Sequence, residues 1–498
     1  MKNTEPVYIA VDLGSSNGRI IAGRLDGGAV RLQVLHRFEH TARYNDGYLR
    51  WNWGRIRREL QAGLETAVRA LEGRRIISIS CDSWAQDFGL IDEQGKFIWE
   101  PVSYRDDRTS GMPEALADII PLRDLLRRTG SVALPITALC QLRSMVLKEP
   151  AVLDRAHCLL YMADLLNYEL CGVAATDWTM ATVSQMLNLE KVEWDGELLE
   201  KLSIPSRILP QIKHSPSVLG QISARAGNYP LPEEVSVVTT AGHDTSAAAS
   251  LLPEAGQDTL ALVAGSWSML GCRISDKEDP GHLAENGIFP LGLPGGEWGG
   301  FIGITGLWLL QACLHKRMKR SDACPITDIM DITNVPAVSI IDPDDAVFRS
   351  PEDMAAAICS YCRKTDQRIP GTFEEIAAVI FISLALSYGF AADRLEKLTG
   401  KRFKSLRLMG GGSRIRLLCQ LAADVLEMPV IAGPAEATAM GNIILQAGIA
   451  GDSRVNNLVQ NIPGYARYLP AKGIEPELKR RFAELKRHGG QVDLRGRV

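Results

Sequence analysis

Val11-Asp12-Leu13-Gly14-Ser15-Ser16-Asn17-Gly18-Arg19-Ile20 reads VDLGSSNGRI, and a stretch beginning at Val263, VAGSWSMLGCRI, follows the same plan. Each is an apolar strand, a turn of small polar residues, and a second strand. Around the first, Val7–Leu13 and Gly18–Leu25 are the strand pair, and Ile76–Cys81 is a further strand ending at Asp82. Helical periodicity marks Trp53–Leu71 and Pro135–Leu147. Around the second, Val235–Thr240 and Leu260–Ala264 read as buried strands and Thr305–Leu314 and Phe373–Leu398 as helices. Leu406–Met409 is a short strand before a glycine cluster. No short-period repeat or low-complexity tract interrupts this order. The recurrence predicts two similar α/β domains, residues 1–250 and 251–498, with a cleft between them.

A chain of 498 residues exceeds one ordinary core, which agrees with more than one domain. With 46% hydrophobic and 23% charged residues it has the balance of a globular protein. A net charge of -4 offers no basic face to attract nucleic acid or an anionic membrane. The longest apolar run, Ala377–Ala392, is shorter than the roughly 20 residues of a membrane span and is interrupted by Ser383, Ser387 and Gly389, so it predicts a buried helix. Met1–Pro6 is polar and leads straight into a strand, with no secretory signal visible. The ten cysteines then read as reduced, mostly buried thiols, and the lone pair Cys359/Cys362 lacks the second pair a zinc site needs. A cytoplasmic location is expected.

Three motifs carry chemistry. In Asp12-Leu13-Gly14-Ser15-Ser16-Asn17-Gly18-Arg19, a carboxylate at a strand end can hold a hydrated Mg²⁺, and the turn N–H groups can face phosphate oxygens. The same residues also make an ordinary hairpin turn. In Ala241-Gly242-His243-Asp244-Thr245-Ser246-Ala247, a carboxylate after a strand can accept a hydroxyl proton during phosphoryl transfer, or can simply cap the helix that follows. In Met409-Gly410-Gly411-Gly412-Ser413-Arg414, three glycines let backbone approach a flat ligand such as adenine, where a plain loop rarely needs three. No GxxxxGK[ST] occurs, which excludes a P-loop, and no GxGxxG opens a helix after a strand.

In their order and spacing these motifs resemble the FGGY carbohydrate kinases, members of the actin-like ATPase superfamily. GYLRWNW at Gly47–Trp53, CDSWAQDFGLID from Cys81, SYRDDRT at Ser103–Thr109, GSWSMLG at Gly265–Gly271, GLWLLQ at Gly306–Gln311, DPDDAVFRSPEDM at Asp342–Met354 and AGPAEATAMGN at Ala432–Asn442 extend the likeness through nearly the whole chain. The resemblance implies two ribonuclease-H-like domains closing over ATP and a ketose. It implies that Ser15, Ser16, Asn17, Gly18 and Arg19 contact the ATP phosphates and that Asp12 lies near the metal. Asp244 would be the proton acceptor, between sugar-contacting His243 and Thr245. Ser266, Gln311 and Gly411 fall on the ATP side. Sugar and phosphates would thus belong to residues 1–250, with the base at the end of that domain, and adenosine to residues 251–498.

Within the family the chain is most similar to the branch that phosphorylates L-rhamnulose, with two departures. Ala85 stands where that branch has a glycine approaching the sugar, and Gly303 stands where it has an asparagine. A pocket built around hydroxyls discriminates through such polar contacts, so L-fuculose and L-xylulose stay open as acceptors. Ala175–Leu189 (ATDWTMATVSQMLNL) also resembles L-fuculose kinases. A different class, a non-catalytic actin-like nucleotide sensor, would have no use for a base at Asp244. The expected cofactors are ATP and Mg²⁺. The expected partner is a small-molecule sugar, without nucleic acid or membrane, for a monomer or homodimer.

Overall fold

Two sheets carry the fold, each built outward from one of the paired stretches. The computed structural model describes residues 5–488 apart from 27, 224–228, 253–257, 276–277, 319–337, 350 and 459–465. The first sheet has six strands in the order Ser217–Gln221, Ser236–Thr239, Arg75–Ser83, Pro6–Leu13, Asn17–Asp26, Ala29–Glu39. The second has seven: Phe289–Leu293, Glu297–Thr305, Trp267–Ile274, Thr259–Ala264, Ser405–Met409, Val430–Ala432, Ala466–Tyr468. In both, the leading strand pairs antiparallel with the strand after its turn and parallel with a strand from later in the chain. Pro6–Leu13 is buried on both faces, which is why it reads as an unbroken apolar run rather than an alternation.

Helix Trp53–Ala70 buries Trp53, Ile56, Leu60, Leu64 and Ala67 on one stripe, and Asn52 caps it by accepting the Arg55 N–H at 2.9 Å. Gly63 belongs to the same stripe, where a Cβ would meet Ile20 Cδ1 at 2.0 Å. Phe373–Thr399 is long and apolar enough to cross a membrane, but 83% of its apolar window is buried, so it is the expected core helix. Two expected helices start late. Pro135–Leu147 becomes Ala138–Lys148, capped by Thr137. Thr305–Leu314 begins only at Trp308, because strand Glu297–Thr305 continues through Thr305. The N–H groups of Gly306 and Leu307 then turn back to Ser266 O and Gly265 O at 3.1 and 2.8 Å.

The halves share an apolar core. Tyr8, Ala10 and Ile21 of the first sheet and Ala261 and Phe301 of the second enclose helices Asp244–Ala249 and Ala437–Ile449. Each fully buried Ile or Phe contributes about 1.5–3 kcal/mol, enough to hold the halves together through several contacts. The helices touch at backbone distance: a Cβ on Gly441 would meet Ala247 O at 2.0 Å. Among the described residues nine cysteines are free, and all but Cys359 are buried; Cys324 lies outside them. Ser350 of the DPDDAVFRSPEDM segment and part of the junction beyond residue 250 also lie outside the described residues.

Candidate active site

The site begins where strands end. Parallel register sets Asp12 beside Asp82 and Leu13 beside Ser83. Ser83 Oγ donates to Leu13 O at 2.8 Å, and Ser83 N–H donates to Gly242 O at 2.8 Å. One buried serine therefore ties the first turn to the loop that carries Asp244. Ala85 follows two residues on, half-buried against the cluster of Phe88, Leu90 and Tyr161.

Acidic groups collect around these ends. Asp12 is 6% exposed and faces Arg19 across the hairpin, whose guanidinium donates to Asp12 and to Glu436. Burial pushes the Asp12 carboxyl up, Arg19 pulls it back, and Asp244 pushes it up again; the net direction is up. Asp82 is fully buried and lies well above the usual carboxylate range, first through burial and then through Asp12. Its Oδ2 accepts Asn442 Nδ2 at 2.7 Å, while its Oδ1 has no protein partner.

Asp244 is the first residue of helix Asp244–Ala249, and His243 is the boundary residue before it. The Asp244 carboxylate accepts the Thr245 N–H at 2.6 Å and the Thr245 hydroxyl at 3.2 Å, both through Oδ1. Its side chain is 40% exposed. The Asp244 carboxylate is therefore favourably placed in a first turn yet keeps an oxygen free for another partner. Burial holds the His243 ring below the ordinary histidine range, favouring the neutral imidazole.

The two turns follow one plan but differ by one residue, the first closing over Gly14–Asn17 and the second over Gly265–Trp267. Gly14 N–H donates to Asn17 O at 2.9 Å, and Gly265 N–H donates to Trp267 O at 3.0 Å. Ser15 and Asn17 are half-buried and Ser16 exposed, whereas Gly18 is a packing glycine, since a Cβ there would meet Phe38 Cζ at 2.2 Å. On the second sheet Ser266 Oγ donates to Gln311 Oε1 at 2.8 Å. Register pairs Val263 with Met409, bringing the glycine cluster beside that turn. Two of its three glycines answer to packing: a Cβ on Gly410 would meet Ala264 O at 2.9 Å, and one on Gly412 would meet Ala264 Cβ at 2.6 Å. Only Gly411 faces open space.

Glu436 links the sets, accepting from Arg19 on the first turn and from Arg414 of the glycine cluster at 3.4 Å. His40 brackets the first turn, donating its backbone N–H to Ser16 O at 3.2 Å and placing Nε2 2.7 Å from Gly14 O. The Gly14 carbonyl can only accept, so Nε2 carries the hydrogen and donates it, while burial lowers the ring's basicity. Glu436, His40 and Asn442 escaped sequence reasoning. Asn442 lies 360 residues from Asp82, and Glu436 417 from Arg19, so no local pattern announces either pair. Among the described residues no three Asp, Glu, His or Cys side chains form a metal-ligand set.

Strand ends that gather carboxylates beside two turns of small polar residues suit phosphoryl transfer. Residues 7–250 match the N-terminal domain of the FGGY family of carbohydrate kinases and residues 260–449 its C-terminal domain. The chain belongs to that family and is an ATP-dependent sugar kinase. It is 33% identical over 456 residues to the rhamnulokinase of Ligilactobacillus salivarius (strain UCC118), covering 89% of this chain and 90% of that protein. It is 33% identical over 477 residues to the rhamnulokinase of Lactiplantibacillus plantarum (strain ATCC BAA-793 / NCIMB 8826 / WCFS1), covering 93% and 94%. Its fold superposes on gluconate kinase from Lactobacillus acidophilus with a TM-score of 0.76 at 17% identity, over 98% of this chain and 97% of that one.

Proposed function

We propose that the chain transfers the γ-phosphoryl group of ATP to L-rhamnulose, giving L-rhamnulose 1-phosphate, in the cytoplasm. The observation that carries the acceptor is the 33% identity to two rhamnulokinases over about nine-tenths of the chain. Asp244 acts as base: its carboxylate takes the hydroxyl proton as the sugar oxygen bonds to phosphorus and the bond to the ADP oxygen breaks. His243, Thr245 and Ala85 line the sugar. Ser15, Ser16, Asn17, Gly18 and Arg19 face the phosphates, and Ser266, Gln311 and Gly411 the rest of ATP. Sugar and phosphates then belong to residues 1–250 and adenosine to 251–498.

Mg²⁺ fits the donor set. It keeps several waters and takes one or two carboxylates, which suits the buried Asp12 beside an unpartnered Asp82 oxygen. Asp12 would hold it, and the ion when bound neutralises phosphate charge. Closure of the halves would exclude water, the competing phosphoryl acceptor.

Gly303 favours a second reading, a kinase for another ketose such as L-fuculose or L-xylulose. It is exposed, and a Cβ there would meet only Met269 Sδ, at 3.7 Å. A coupled ADP-release assay over L-rhamnulose, L-fuculose, L-xylulose, L-ribulose and D-xylulose tests both. Highest kcat/KM for L-rhamnulose is expected. A higher value for another ketose would replace the acceptor, and ADP release independent of any sugar would sink the kinase mechanism.

A further inference from the structure

Asp177 and helix Trp178–Val183 have no part in the roles assigned above, yet Asp177, Thr179 and Thr182 are all buried. Asp177 Oδ1 accepts the N–H of Gly242 at 3.0 Å, the N–H of Thr179 at 2.7 Å and the Thr179 hydroxyl. Asp177 Oδ2 accepts Thr239 Oγ1 at 2.7 Å. Thr179 Oγ1 in turn accepts the His243 N–H at 3.1 Å. Both backbone donors immediately before Asp244 therefore end on this one segment. The contact is close, since a Cβ on Gly242 would meet Asp177 Cβ at 3.1 Å.

The far end of the same helix grips the other half. Thr182 Oγ1 accepts the Gly292 N–H at 3.0 Å from edge strand Phe289–Leu293 of the second sheet. Gly292 O accepts Ser246 Oγ at 2.8 Å, two residues beyond Asp244. A Cβ on Gly292 would meet Trp178 Nε1 at 2.7 Å, so edge strand and helix interlock. Capping a six-residue helix needs one acceptor. Here a chain of buried polar groups runs from the loop of Asp244 to the opposite sheet, and buried polar groups persist only when bonded.

We propose that Asp177, Thr179 and Thr182 are positioning residues: they fix the Gly242–His243 backbone, and with it Asp244, relative to the sheet that carries the ATP side. The inference rests on Asp244 being the base. A geometric error of about 1 Å at a reacting group can cost on the order of 10²-fold, so small displacements of this loop should register in kcat.

The test compares Thr179→Val, which keeps shape and loses the hydroxyl, with Thr179→Ser, which keeps the hydroxyl, in the full-length enzyme with L-rhamnulose and ATP. Thermal unfolding is recorded for each variant. T179V is expected to lower kcat by roughly 10- to 100-fold with the KM for ATP changed less than about twofold, and T179S to recover most of the loss. Thr182→Val and Thr182→Ser provide the same contrast at the Gly292 end should T179V not fold. Wild-type kcat in both folded valine variants, or serine variants as slow as the valine ones, overturns the proposal. Asp244→Asn run alongside separates the two ideas. An active D244N removes the base, whereas an inactive D244N with a fully active T179V removes only the positioning role.

Discussion

Aligning Gly14 on Gly265 compares two strand–turn–strand units whose turns differ by one residue, Gly14 N–H reaching Asn17 O and Gly265 N–H reaching Trp267 O, and whose strand ends differ in charge. Asp12 of the first unit corresponds to Val263 of the second. Across its hairpin Asp12 faces Arg19, whereas Val263 faces Met269. The first unit holds an ion pair of Asp12 with Arg19, joined by Glu436, beside the buried Asp82; the second has an uncharged strand end and a neutral side-chain bond between Ser266 and Gln311. The strand–turn–strand plan is thus common to both halves, and the carboxylate at the first strand end, where the second has Val263, would assign the chemistry to the first half. If that division is right, changes on the first sheet should strike kcat or metal dependence, and changes on the second should strike nucleotide affinity or selectivity.

The largest effect is expected at the end of the first sheet. Asp244→Asn keeps size and a first-turn acceptor but cannot take the proton, so kcat should fall roughly 10²- to 10⁴-fold with ligand binding retained. Steady-state turnover together with calorimetric ATP binding checks both halves of that statement, and near-wild-type turnover would leave Asp244 a helix-start residue only. Next comes Asp12→Asn, which leaves Arg19 paired with Glu436 alone. The Mg²⁺ concentration for half-maximal activity should rise about 10- to 100-fold, as for loss of a metal-orienting carboxylate. An unchanged Mg²⁺ titration would erase the electrostatic contrast between the turns.

Smaller and different in kind is Ser266→Ala. It removes the hydroxyl from the neutral turn, and losing one hydrogen bond to the nucleotide should raise the KM for ATP about fivefold. A kcat loss as deep as that of D244N would break the division between the halves.

How much of this was legible in the chain follows from range. The strand pair at Val7–Leu25 and the core helix at Phe373–Leu398 declare themselves in local periodicity, and the structure has both. The start of the helix at Trp308 does not, because the turn before it is closed by acceptors on Gly265 and Ser266. The glycine cluster is legible as a special place, but its two packing glycines answer to Ala264, far away in sequence. His40, Glu436 and Asn442 act on groups brought near only by sheet pairing and by the helix wedged between the halves. Glu436 and Asn442 lie in AGPAEATAMGN, a segment legible as part of the family likeness, but nothing local assigns them Arg19 and Asp82 as partners.

The smallest expected effect concerns Gly303 and returns to the second unit. Opposite residues of an antiparallel pair share a face, so Phe301, Gly303 and Thr305 lie with Gly271, Met269 and Trp267. Phe301 is buried in the core shared with the first sheet, so this face looks toward the half that carries Asp244. Beyond Phe301 the wall opens: Gly303 is exposed, and Trp267 is 71% exposed. An asparagine fits there, because its Cβ would make only ordinary contact with Met269 Sδ at 3.7 Å. Gly303→Asn therefore adds a donor and an acceptor to an apolar wall at little cost in packing. If the wall meets the sugar, the kcat/KM ratio of L-rhamnulose to the other ketoses should rise by about 1 kcal/mol, roughly fivefold, the worth of one hydrogen bond. Water held in the open space could already supply that bond, in which case the ratio moves less and the KM values move together. A variant with every ketose ratio unchanged would take Gly303 out of the sugar site, and the second unit would then serve the nucleotide alone.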